Sequence, residues 1–236
     1  MDELGAVPPG TDPILALREE CAAVSEMVRT LDDPVDFAKP TRCTAWNVQE
    51  LLGHLYRDVD RIGAALDSEP PPRATHDAVT YFRSYDPTPG GAGSIGVAER
   101  AKEVAARYAT GRDLGAAWDA MWPAMLDRAS VADRTRVVVT FGPALTLEEF
   151  LKTRVLEVTV HRMDLEDAFG RRGWGTDTAV SIVDDILVGL LGTEPARALD
   201  WDVVDFIEVG TGRRELTEAE RTKLGVRLAK RFPLLG

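Results

Sequence analysis

The sequence predicts an all-α protein: a helical bundle with one long crossover connection and a C-terminal helical extension. Three observations carry that reading. Apolar residues recur at helical spacing through most of the 236-residue chain. Ala, Leu, Arg, Asp and Glu are plentiful while aromatics make up 7%, a balance that favours helix over sheet. The one extended stretch, RTRVVVTFGPALTL, offers two short strands about a Gly142-Pro143 turn, too little for a sheet fold.

Each element has its own signal. Residues 1–11 read as a loose tail. Asp12 followed by Pro13 reads as an N-cap with proline at the first helical position. The helix it opens runs to about residue 32, with Ile14, Leu17, Cys21, Val24 and Val28 on one stripe. DPVDFAKPTRCTAW is a loop. Asn47 and Glu50 have capping-box spacing and start a second helix to about Asp67, with Val48, Leu51, Leu52, Leu55, Val59 and Ile62 inward. Residues 68–92 hold PPP and GG and predict an irregular crossover, helix being excluded over most of the span. A third helix covers about 94–109, and a fourth, DLGAAWDAMWPAMLDRA, is interrupted or kinked at Pro123. Thr146 and Glu149 form a capping box for a long helix ending near Gly170. Beyond the GRRGWGTDT loop come a helix over about 178–191 and two or three short helices, one opened by Thr217 and Glu220. The domain organisation expected is a bundle over 1–170 and an extension over 171–236.

Composition narrows function. With 44% hydrophobic and 28% charged residues the chain can bury one sizeable core. A net charge of −11 disfavours nucleic acid, whose phosphates need Lys and Arg, and equally an anionic membrane surface. No apolar run approaches a membrane span. MDELGAVPPGTDP lacks the regions of a signal peptide, and Cys21 and Cys43 make no disulfide framework. A reducing cytoplasm is the expected location.

The chemistry concentrates in two distant segments, CTAWNVQELLGHL at 43–55 and RVLEVTVHRMDL at 154–165. Glu157 and His161 are four residues apart and share a helix face. His54 lies on the apolar stripe of another helix and could complete a His/Glu/His set, known for catalytic zinc with an open fourth position. Taken alone, Glu-x-x-x-His is also an ordinary helix-surface pair. Position favours the metal reading, because facing helices build metal sites in bundle cores. Asp164 either fixes a ligating imidazole or makes a local salt bridge. Asp58, four residues after His54, is equally ambiguous. Arg57 and Arg154 border the candidate ligands and could hold a substrate carboxylate. His76 reads as a loop residue, Cys43 and Cys21 as buried packing residues, and Trp46 as a packing anchor.

PTRCTAWNVQELLGHL at 40–55 resembles the opening motif of the mycothiol-dependent maleylpyruvate isomerase family, a Pro/Thr–Cys–x–x–Trp turn leading into a His-bearing helix. LEVTVHRMDLEDAFG at 156–170 is similar to its second motif, Glu-x-x-x-His followed by x-x-Asp-Leu and a terminal Gly. The resemblance covers about residues 12–170. It implies a DinB-like four-helix bundle in which His54, Glu157 and His161 bind a divalent metal, usually zinc. That metal would activate the thiolate of mycothiol as cosubstrate. In the isomerase the thiolate adds to a conjugated double bond, and in related S-transferases it stays on the electrophile. After residue 170 the chain departs from the isomerase, which carries there an α/β domain with a substrate-binding arginine. Arg213 and Arg214 are the candidate substitutes.

The leading expectation is therefore a zinc- and mycothiol-dependent S-transferase or isomerase acting on a small electrophile, with a homodimer left open. The alternatives are a non-catalytic metal- or partner-binding bundle and a metal-dependent hydrolase using Glu157 or Asp164 as base.

Overall fold

The computed structural model describes residues 11–84, 92–139, 142–192, 199 and 201–235, without the side chains of 92–94. The expected loose N-terminal tail falls almost wholly outside these residues. Among them are nine helices and one two-stranded sheet. Asp12 caps α1 (Pro13–Arg29), its carboxylate accepting from the Ile14 N–H. Asn47 and Glu50 form the reciprocal capping box of α2 (Val48–Asp67). Thr146 caps α6 (Leu147–Asp167) by accepting from the Glu149 N–H.

Side-chain pairs give the directions of the four main helices. On α5 (Gly111–Ser130), Asp119 meets Arg29 and Asp127 meets Arg18, so α5 runs against α1. On α6, Glu157 meets His54 and Arg154 meets Asp58, so α6 runs against α2. Glu20 of α1 meets Arg162 of α6, while Arg134, in the connection between α5 and α6, joins Asp12 to Glu148. The two helices therefore run together. Arg128 of α5 reaches Asp67 at the end of α2, while Phe37 lies against both Gly111 and the start of α2. The bundle is thus up-down-down-up, and joining α2 to α5 requires a crossover along its length.

That crossover is more helical than expected. It carries the unexpected α3 (Ala78–Ser84), packed on α6 and on α7 (Asp177–Leu191), and leads into α4 (Ala92–Ala105), the helix expected over about 94–109. The PPP and GG clusters exclude helix only where they stand; Ala78 starts a turn whose N–H bonds the Glu149 carboxylate. α4 ends at Ala105 rather than near 109, because Thr110 and Asp113 form a capping box for α5. α4 follows α2 closely: a Cβ on Gly53 would lie 2.8 Å from the Ala101 carbonyl oxygen. Pro123 does not interrupt α5, which continues through it. The expected extended stretch is β1 (Val137–Val139) paired antiparallel with β2 (Ala144–Thr146).

Residues of α7 and of α8 (Val203–Gly210) enter the same contiguous core as the bundle, among them Val183, Leu187, Phe206 and Ile207. The last helix, α9 (Glu218–Ala229), breaks at Gly225 (φ +73°), a left-handed conformation suited to glycine. Its box residue Glu220 also accepts from Arg214 at 3.0 Å and from the Trp201 indole at 2.6 Å. The Arg214 bond leads in holding this carboxyl at about 2, from 4.5. A depressed folded pKa stabilises fully above the unfolded value and is lost as pH falls through the folded one. In acid titrations of wild type and Glu220→Gln, the wild-type advantage should be constant above about pH 4.5 and vanish near pH 2. An advantage that persists unchanged to pH 2 would refute this.

Candidate metal centre

α2 and α6 cross where both lose water. His54 is 4% exposed, on the apolar face of α2, and His161 is 8% exposed on α6, which is buried on nearly every side. Glu157 lies between them. Its Oε2 stands 3.5 Å from His54 Nε2 and 3.5 Å from His161 Nε2. The three ligand atoms all fall within 4.8 Å of one another. The 3.5 Å spacings are long for hydrogen bonds. They suit a shared cation instead, since two ligands at about 2.1 Å on tetrahedral corners lie roughly 3.4 Å apart. The residues present therefore fit a divalent metal, and the two-imidazole, one-carboxylate donor set suits zinc.

The surroundings hold the set in place. Trp46 stacks on His54 with ring centroids 4.7 Å apart, so it is a wall of the site as well as an anchor. Asp58 is 2% exposed and ion-pairs through Oδ1 with Arg154 Nη1 at 3.0 Å. Burial lowers the Arg154 guanidinium, but the Asp58 charge and the Tyr81 side chain outweigh it and raise it. Asp164 Oδ2 lies 2.9 Å from His161 Nδ1, and the same carboxylate ion-pairs with Arg42 and Arg213. Burial works against charge in all three central groups and loses. The close His161 and His54 imidazoles and the Arg154 charge hold Glu157 well below the usual carboxylate range. Asp164, Cys43 and Glu157 raise His161 well above its ordinary value. The His161 hydrogen bond and the Arg213 charge hold Asp164 low.

Other candidates are placed less uniformly. Arg57, Asp58, Arg154 and Arg213 line one cavity of about 520 Å³ that opens onto the three ligand atoms. Arg214 lies apart from that cavity, bonded to Glu220 and Asp205; the choice between the two arginines was invisible in the sequence. His76 contacts Thr75 and is not among the residues lining the cavity. Three contributors were missed. Cys43 is not simply buried packing: it lines the cavity, and its Sγ donates to Asp164 Oδ2 at 3.0 Å. Arg42 donates from Nε to Asp164 Oδ1 at 2.6 Å, and Tyr81 joins the cavity wall from α3. The Arg42-Cys43 pair sits in the turn that precedes α2, which was the available signal.

Residues 17–166 match the family model described as the mycothiol maleylpyruvate isomerase N-terminal domain. The chain belongs to this family. No curated protein and no solved structure matches the chain. The matched span of this mycothiol maleylpyruvate isomerase N-terminal domain contains α2 and all but the last residue of α6, hence His54, Glu157 and His161, and ends before α7, α8 and α9. Among the described residues no helix is long and apolar enough to cross a membrane.

Proposed function

We propose that this family member is a metal- and thiol-dependent enzyme that joins a small thiol of the mycothiol type to a small electrophile, by lasting transfer or by reversible addition that permits isomerisation. One observation carries the reading: the three ligand atoms converge in the wall of a cavity large enough for a small molecule, rather than in a sealed site. A closed structural site would leave no such adjoining space. A divalent zinc ion held there would lower the pKa of a thiol and stabilise its thiolate. His54, Glu157 and His161 supply the donor atoms, and Asp164 keeps the His161 ring oriented with Nε2 toward Glu157. Trp46, Phe82, Leu156 and Val160 give the cavity apolar walls that exclude water from the reacting atoms. Arg57 and Arg100 add cationic character to the wall, suited to the polar part of a thiol or to an acidic electrophile.

Calorimetric titration with mycothiol tests this. The zinc-loaded protein should bind the thiol, and the metal-free protein should bind it at least about tenfold more weakly, a difference of roughly 1.4 kcal/mol. Binding by neither form would defeat the transferase and isomerase readings together and leave the hydrolase or the non-catalytic bundle.

A further inference from the structure

We propose that Arg213, on the turn between α8 and α9, is a positioning residue that fixes the His161 ring through Asp164, making the C-terminal extension part of the metal centre. The proposal rests on the metal reading above for its consequence, but not for its geometry. Asp164 is 0% exposed, so its carboxylate has to be neutralised and hydrogen-bonded by protein groups. The imidazole gives one bond, at 2.9 Å. Arg213 grips both oxygens, Nε to Oδ1 at 3.2 Å and Nη2 to Oδ2 at 2.9 Å, a bidentate pairing that fixes the plane of the carboxylate. Arg42 adds its bond to Oδ1 from the opposite end of the chain.

Arg213 is itself anchored. Nη1 donates to the Thr211 carbonyl oxygen at 2.7 Å, and Nη2 also approaches Cys43 Sγ at 3.7 Å. Gly212 takes φ +73°, which lets the turn double back, and the N–H groups of Leu234 and Leu235 bond the Gly210 carbonyl. A guanidinium has five N–H donors, and these contacts use four of them. Arg213 is therefore committed to Asp164 and poorly placed to receive a substrate carboxylate. It lies outside the matched span of 17–166, so the extension supplies a group to this centre that the family domain does not contain.

The test compares Arg213→Ala, Arg213→Lys and Arg214→Ala in the full chain. Arg214 shares the turn but pairs with Glu220, so its variant controls for damage to the extension. By chelator competition, Arg213→Ala should bind zinc roughly 10–100-fold more weakly than wild type, Arg213→Lys should recover part of the loss, and Arg214→Ala should match wild type. In proton NMR of the metal-free protein, the His161 Nδ1–H should be seen downfield and protected from exchange in wild type and Arg214→Ala, and lost in Arg213→Ala. Retention of that resonance in Arg213→Ala overturns the proposal. So does an equal loss in Arg214→Ala, which would make the effect one of turn integrity. A wild type that binds no metal sinks the proposed function, and the ring N–H comparison then decides this inference alone.

Discussion

His161→Ala is expected to abolish the stabilisation of the protein by zinc while leaving the bundle folded. The wild type, at zinc about 100-fold above its dissociation constant, should gain about 2.7 kcal/mol by linkage. For a chain of this size that is a rise in melting temperature of roughly 5–10 °C. The variant should show no rise, because two of the three donors cannot close the set that His54, Glu157 and His161 make together. The fold should survive because the core is supplied by aliphatic stripes, such as Leu51, Leu55 and Val59 on α2 and Val155 and Val158 on α6. Differential scanning calorimetry of metal-free and zinc-supplemented protein measures both quantities. An undiminished zinc shift in the variant would place the cation elsewhere. Collapse of the metal-free variant would make His161 a structural residue and favour the non-catalytic reading.

The difference between what the chain announces and what it hides follows from the range of the interactions. The Glu157–His161 relation is local, four residues on one helix, and the Asn47–Glu50 and Thr146–Glu149 spacings fix where two of the site's helices begin. These features are legible because helical periodicity encodes them. The pairing of His54 with Glu157 was inferable from the apolar residues that put both on core helices and from the two family motifs, not from local spacing. Arg213 is a different case. It meets Cys43 across 170 residues, through a glycine turn and a helix whose placement no periodicity predicts. The same holds for Arg42 with Asp164. Arg213 and Arg214 are adjacent in sequence, and only the turn geometry sends one to the centre and the other to Glu220. α3 was hidden for a local reason: it is a 7-residue helix between the PPP cluster and the GG pair, and proline-rich flanks dominate any window that includes it.

The largest loss of stability from a single change near the site should come from Arg154→Ala. Arg154 is 2% exposed, and its partner Asp58 is 2% exposed. Their Nη1–Oδ1 contact is 3.0 Å, Tyr81 shares the guanidinium, and the Phe150 ring lies 5.3 Å below it. Removing the guanidinium strands a buried carboxylate whose Oδ2 already has no hydrogen-bond partner and stands 3.5 Å from His54 Nε2. Breaking one side of such a pair costs about 3–5 kcal/mol, chiefly because the remaining charge is left uncompensated. At this chain length the melting temperature should fall by roughly 6–20 °C. The origin of the loss can be separated from simple truncation of the side chain. Adding Asp58→Asn removes the stranded charge, so the double variant should regain part of the loss, and the double-mutant cycle should give a coupling energy of about 1–3 kcal/mol. If Arg154→Ala costs under about 1 kcal/mol, the pair behaves as a solvated surface bridge, and cavity water must reach Asp58. If the loss is large but Asp58→Asn recovers nothing, the guanidinium stabilises through packing on Phe150 and Tyr81. On the ion-pair reading, the partner of Asp58 does for α2 what Arg213 does for α6: it pairs with a buried carboxylate and fixes it beside a metal-capable imidazole.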